Sequence, residues 1–168
     1  MVNENKNITK VCGFYMSDWH LITMLLPNIN KLINKGNEIT TILEEDAKEK
    51  IEILLSKIKI ENANKITSIN WRKRNIENIK PEELEIGKKE NAEKTIIIVG
   101  SEEYIAKANC LVEGYIKEKE NVNLKIINCY SAQKKLNIKE ILDNHKTVLN
   151  TAGERTTKEF MKSINMVK

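Results

Sequence analysis

The chain of 168 residues is poor in the residues that mark several protein classes. It has three cysteines, two prolines, six glycines and two histidines, and aromatic residues make up only 5%. Cys12, Cys110 and Cys129 are odd in number, widely spaced and form no C-x-x-C pair. That argues against a disulfide framework or a cysteine-rich zinc site, and it predicts reduced thiols in a cytoplasmic protein. His20 and His145 have no H-x-x-x-H or H-E-x-x-H spacing, so neither a metal nor a cofactor is expected. The longest apolar run, 96–100, is far shorter than the roughly 20 residues that span a bilayer. Residues 1–10 are polar and lack the apolar segment of a secretory signal. Neither G-x-x-x-x-G-K-[ST] nor G-x-G-x-x-G occurs, so no glycine-rich loop is available to wrap a phosphate. Charge of one sign is also lacking. The 28 basic residues are interspersed with 24 acidic ones for a net +4, which is not the clustered footprint of a nucleic-acid binder.

What the sequence has is isoleucine, 25 of them, and asparagine, 21. Hydrophobic residues reach 40%, enough for one core without staples. The expected organisation is a loose polar lead over 1–9 and one α/β domain over 10–168, with a variable connection at 72–93. Strands are expected at 10–16 (KVCGFYM), 38–43 (EITTIL), 66–71, 95–99 (TIIIV), 124–130 (LKIINCY) and 147–150. The unbroken TIIIV run reads as a central strand covered on both faces. Helices are expected after Ser17 or Asp18 through Lys35, at 47–58, after Ser101, at 138–144 and at 157–164. Pro27 either kinks the first of these or starts its main part, and Gly36 ends it. In the helix after Ser101, Tyr104, Ala108, Leu111 and Tyr115 form the expected inner face, with Ile105, Val112 and Ile116 beside it. A short helix is expected near 81–86 (PEELEI). Alternating strands and helices imply a three-layer, mostly parallel sheet with helices on both faces, a Rossmann- or RecA-like architecture.

In such sheets ligands bind beyond the carboxyl ends of the strands. Ser17, Asp18, Glu44, Glu45, Gly100, Ser101 and Ser131 fall there. Glu44 follows four mostly apolar residues, as does the metal-orienting acid of nucleoside triphosphatases; without a phosphate loop it reads as a surface acid or helix cap. Glu102 and Glu103 in the first turn after Gly100 repel an anion. Cys129 could approach His145 and gain nucleophilic character, although burial as a small apolar side chain is the default for a cysteine. Each histidine is expected to be partly buried and to make one backbone hydrogen bond, and His145 at a helix end could also favour the helix dipole as a cation. The Arg72-Lys73-Arg74 cluster after Trp71 reads as a solvated loop, with contact to an anion or nucleic acid as the alternative. No catalytic constellation emerges.

Two stretches, VCGFYMSDWHLITMLLPNINKLINKGNEITTILEED and LKIINCYSAQKKLNIKEILDNHKTVLNTAG, together resemble the MEDS domain, the sensory domain of methanogen and methylotroph regulators. The first carries Cys12, Phe14, Tyr15, Asp18, Pro27, Gly36, Asn37 and Glu38, and the second Cys129, Tyr130 and His145. The resemblance covers about 65 residues at the two ends of the chain. Lys10 and Val11 stand where a histidine often precedes the first cysteine, and Lys146 stands where a proline often follows the closing histidine. The resemblance implies a RecA-like core without its phosphate loop and a sensory, non-enzymatic role. The expected partner is a small molecule or a regulatory protein, with homo-oligomerisation as a further expectation. The candidate ligand-binding residues are Cys12, Tyr15, Asp18 and Glu44 in the first half, and Ser101, Cys129, Tyr130 and His145 in the second. The alternatives are a degenerate nucleotide-binding enzyme, with Glu44 orienting a metal and Ser101 near phosphate, and an oligomeric interaction module using 72–93.

Overall fold

A computed structural model describes residues 5–86, 93–119 and 121–163. Six strands form one sheet: β1 (Asn5–Tyr15), β2 (Glu38–Leu43), β3 (Lys94–Gly100), β4 (Asn121–Ser131), β5 (Thr147–Asn150) and β6 (Gly153–Thr156). Their spatial order is β2-β3-β4-β1-β5-β6, all parallel except β6, which pairs antiparallel with β5. The helices are α1 (Asp18–Asn34), α2 (Lys48–Lys57), α3 (Ala63–Ser68), α4 (Glu102–Ile116), α5 (Ile138–Asp143) and α6 (Thr157–Ser163). The expected α/β architecture with helices on both faces is the one observed.

Period-two alternation divides the core. Ile96 and Ile98 of β3, Ile126 and Tyr130 of β4 and Cys12 of β1 pack on one face, under α4 and α5. Ile97, Val99, Ile127, Cys129 and Val11 pack on the other, under α1, α2 and α3. Every residue of β3 is buried, as expected of a strand covered on both sides. From β1 the chain crosses by α1 to the far edge at β2, then returns strand by strand. A reversal of direction must change face if all crossovers keep one hand, and it does: α1 lies on one face, α4 and α5 on the other. Residues 44–72 leave and rejoin the end of β2, where Lys73 bridges Leu43 and the Arg74 N–H donates to the Leu43 carbonyl at 2.8 Å. Beyond Arg74 two short 3-10 helices, Ile76–Asn78 and Pro81–Leu84, lie on the α4 face, with Ile79, Leu84 and Ile86 buried there. The 72–93 segment is thus the true β2-to-β3 crossover, as far as residue 86, where the description breaks until residue 93.

Several expectations are corrected. The lead is not loose: β1 begins at Asn5, pairing in register with β4 from Asn5↔Asn121 through Thr9↔Lys125. A strand held by ladder bonds, with none of the side chains at 6–9 buried and Ile8 the one apolar residue among them, leaves no apolar pattern; residues 1–4 lie outside the described residues. The 66–71 stretch is not a strand. Ile66 lies in α3, and Trp71 folds back so that its indole N–H donates to the Ile66 carbonyl at 2.8 Å. A polar strand, β6, was not anticipated; its signal is the tight Asn150–Gly153 turn, where Asn150 Oδ1 accepts the Ala152 N–H at 2.8 Å. The buried stripe of α4 runs along Ile105, Ala108, Val112 and Ile116, with Tyr104, Leu111 and Tyr115 half-buried beside it. α1 continues through Pro27, whose ring faces solvent, and stops at Gly36 with φ +86°. The final helix is described to Ser163, and Ile164 lies beyond the described residues.

Candidate functional site

β1 and β4 are neighbours whose outgoing connections run in opposite directions along the sheet, the arrangement that opens a crevice at the strand ends. A cleft of about 390 Å³ lies there. Its floor is Leu43, Val99, Leu21 and Ile22, the ends of β2 and β3 and the start of α1. Its polar walls carry Asp18, Glu44, Glu45, Asp46 and the two ammonium groups of Lys50 and Lys134.

Four of the eight sequence-predicted residues line this cleft: Tyr15, Asp18, Glu44 and Ser101. Ser17 and Ser101 cap α1 and α4 as expected, each hydroxyl accepting the backbone N–H three residues on, at 3.1 and 3.2 Å. Glu44 sits at the end of the edge strand and turns onto the start of α4. Its Oε1 accepts the Ser101 N–H at 2.9 Å and its Oε2 the Ser101 hydroxyl at 3.4 Å. The carboxylate therefore occupies the helix terminus where a phosphate would bind. Gly100 permits this approach: a Cβ there would meet Glu44 Cβ and Oε1 at 2.9 Å. Behind Glu44, the Tyr104 hydroxyl reaches the Leu43 carbonyl at 2.9 Å and the Arg74 carbonyl at 2.6 Å. Burial, then the Glu44 charge, pushes its phenol up to about 12, so it stays a donor. Tyr15 is likewise pushed up to about 12, by burial first, then by Cys129, with smaller contributions from Asp18 and Glu44 that the Ser131 hydrogen bond partly offsets.

The outer wall holds residues that sequence reasoning missed. Trp19 is 45% exposed and Met16 61%, both at the mouth. Lys50 of α2 pairs with Asp18 and holds its ammonium 6.0 Å from the Trp19 ring centre. His20 does what was expected: its Nδ1 accepts the Met16 N–H at 3.0 Å. The Gln133 amide donates to the Met16 carbonyl at 2.8 Å, clamping the β4–α5 loop to the β1–α1 loop. The exposed aromatic next to the Ser17 cap was the available signal for this wall.

The other four predicted residues do not join the cleft. Cys129 faces the α1 side of the sheet and Cys12 the α4 side, so the two thiols do not converge. Burial pushes Cys12 up to about 12 and Cys129 further still. The expected approach of Cys129 to His145 fails for the same reason: His145 packs edge-on to Tyr130, ring centres 6.1 Å apart, on the α4 side. His145 is not a helix-end cation. Burial, with Lys10 adding to it, lowers its pKa against the opposing effect of the Ile141 carbonyl, and keeps it neutral. Its Nδ1–H donates to that carbonyl at 2.6 Å, the one backbone bond expected. In the Arg72-Lys73-Arg74 cluster the Arg72 and Lys73 side chains are exposed, as expected of a solvated loop, while the Lys73 backbone N–H donates to Asp46 at 2.7 Å and half-buried Arg74 is paired to Glu83 at 3.5 Å. Among the described residues no group of three or more His, Cys, Asp or Glu side chains could hold a metal, and no helix is long and apolar enough to cross a membrane.

Comparison of the chain with protein families, with curated proteins and with solved structures returns no match.

Proposed function

We propose that this chain is a non-enzymatic sensory module that binds a small molecule in the cleft beyond the strand ends and passes the bound state to a regulatory partner. The observation that carries this reading is the convergence of Tyr15, Asp18, Glu44 and Ser101, from three separate chain segments, on one 390 Å³ cleft at the reversal of strand order. That volume is within the range of small-molecule sites. The reading agrees with the resemblance to the MEDS domain, and the parallel core with Glu44 filling the phosphate position agrees with a RecA-like core that has lost its loop. The lining excludes a dense anion, since four carboxylates face two ammonium groups, one already paired with Asp18. Coupling requires a ligand that favours one of two states. Glu44, Tyr104 and Arg74 supply a route, because together they tie the cleft to the β2–β3 crossover.

Thermal shift with uncharged and cationic metabolites, read beside Trp19 fluorescence, tests this. A ligand at about 100 times its Kd stabilises by about 2.7 kcal/mol, changes Trp19 emission, and loses both effects in Asp18→Ala. Magnesium-dependent nucleotide turnover abolished by Glu44→Gln would overturn the reading in favour of a nucleotide enzyme.

A further inference from the structure

Asn128 lies in the middle of the sheet on β4, between Ile127 and Cys129, and is 1% exposed. A buried amide on a central strand is costly unless its hydrogen bonds are made. Its partners fix the polarity of a chain of groups across the α4 side. The Ile141 carbonyl can only accept, so His145 Nδ1 carries the hydrogen and Nε2 the lone pair. Asn128 Nδ2 therefore donates to His145 Nε2 at 2.9 Å, and Asn128 Oδ1 accepts from Asn109 Nδ2 at 2.9 Å. The second Asn109 hydrogen goes to the Ile105 carbonyl at 2.8 Å. Every strong donor is consumed within the network. What remains is Asn109 Oδ1, whose contact with Asn128 Nδ2 is long at 3.4 Å.

The same residues line a cavity of about 220 Å³ between α4 and α5, on the opposite face from the rim cleft and sharing no residue with it. Tyr130 lines it too. It is 7% exposed, with its ring held between Phe14 and His145. Its hydroxyl has no protein partner among the described residues and is not sealed from solvent. The space corresponds to about seven waters at 30 Å³ each. At the mouth, Glu102 and Glu140 oppose an anion, while the Lys10 ammonium is held by Glu113 at 2.6 Å.

We propose that this cavity is a second small-molecule site, and that it takes a small uncharged primary amide. The unpartnered Tyr130 O–H asks for a carbonyl oxygen, and Asn109 Oδ1, which keeps a second lone pair beyond its long 3.4 Å bond from Asn128 Nδ2, accepts an N–H. A primary amide presents both on one carbon and carries no charge to desolvate. The buried Asn128–His145 pair holds Asn109 in the orientation that leaves its oxygen available.

Saturation-transfer NMR on the full chain with propionamide, methyl acetate and propionate tests the assignment. Propionamide binds in the millimolar range. Methyl acetate, which lacks N–H, and propionate, which is charged, bind several-fold more weakly. Tyr130→Phe weakens propionamide about three- to tenfold, the size of one hydrogen bond. Ala106→Phe, at an exposed lining position that leaves the core untouched, abolishes binding. Lys65→Ala, at a residue that lines neither site, leaves propionamide binding unchanged. Silence from all three compounds, equal binding of methyl acetate, or binding that survives Ala106→Phe overturns the proposal.

Discussion

Glu44 Oε1 accepts the Ser101 backbone N–H at 2.9 Å, tying the end of β2 to the start of α4 across 57 positions of sequence. Removing that acceptor leaves a half-buried donor unpaired. Glu44→Ala is expected to cost about 1–3 kcal/mol in urea unfolding, and Glu44→Gln, which keeps the accepting oxygen, less. Equal stability of Glu44→Ala and the parent would mean that water replaces the carboxylate there.

Gly100→Ala tests the same contact from the other side. The added methyl meets Glu44 Cβ and Oε1 at 2.9 Å and Tyr104 Cδ1 at 3.0 Å. The expected loss is about 1–3 kcal/mol, the usual cost of overpacking. Glu44→Ala removes the Oε1 contact while keeping the Cβ one, so the double variant Gly100→Ala/Glu44→Ala loses less than the sum of the singles by the carboxylate's share of the clash. Simple additivity in a double-mutant cycle would show that the two residues do not act on each other.

Stability depends on pH through His145. Its folded-state pKa lies below the ordinary histidine value because the ring is buried, with Lys10 adding to the shift and the Ile141 carbonyl opposing it. Between the two values the unfolded chain binds a proton that the folded one does not, so stability is full above the ordinary value, about 6.5, and is lost as pH falls below it. His145→Gln should flatten the slope of unfolding free energy between pH 7 and pH 5. An unchanged slope would assign the effect to other groups.

Thiol reactivity should be graded by burial. Cys110 is exposed, whereas Cys12 and Cys129 are buried with raised pKa values. A thiolate is the reactive form. Alkylation of the native protein followed by mass spectrometry is therefore expected to give one fast adduct at Cys110, and three adducts after unfolding. Fast labelling of Cys129 in the native state would contradict its place beneath α1.

The two tryptophans report on different regions. Trp71 is buried with its indole N–H bonded to Ile66, and Trp19 stands at the cleft mouth. Iodide is expected to quench only Trp19, and Trp19→Phe to leave a blue-shifted, unquenched emission. Equal quenching of both would place Trp71 in solvent and undo the account of α3.

Much of the fold could be read from residue pattern. TIIIV had to be a doubly covered strand because no polar side chain interrupts it, and Ser17, Ser101 and Gly36 mark helix ends through local hydrogen bonding and backbone freedom. The 66–71 stretch misled because Ile66, Ile69 and Trp71 are β-prone types, while their spacing of three and two fits a helix turn followed by a fold-back. β6 and the start of β1 were invisible because their stability lies in ladder bonds to β5 and β4, with no apolar face to betray them.

The candidate site divides in the same way. Residue order alone places acids and capping serines after the strands, which is why Tyr15, Asp18, Glu44 and Ser101 could be named together. That Cys129 lies on one side of the sheet and Cys12, Tyr130 and His145 on the other emerges only in the folded chain. Side chains alternate across a strand, so the face of each residue was implicit. Which strands adjoin, and which helix covers each face, is set by crossovers whose ends lie tens of residues apart, and local sequence does not encode that pairing.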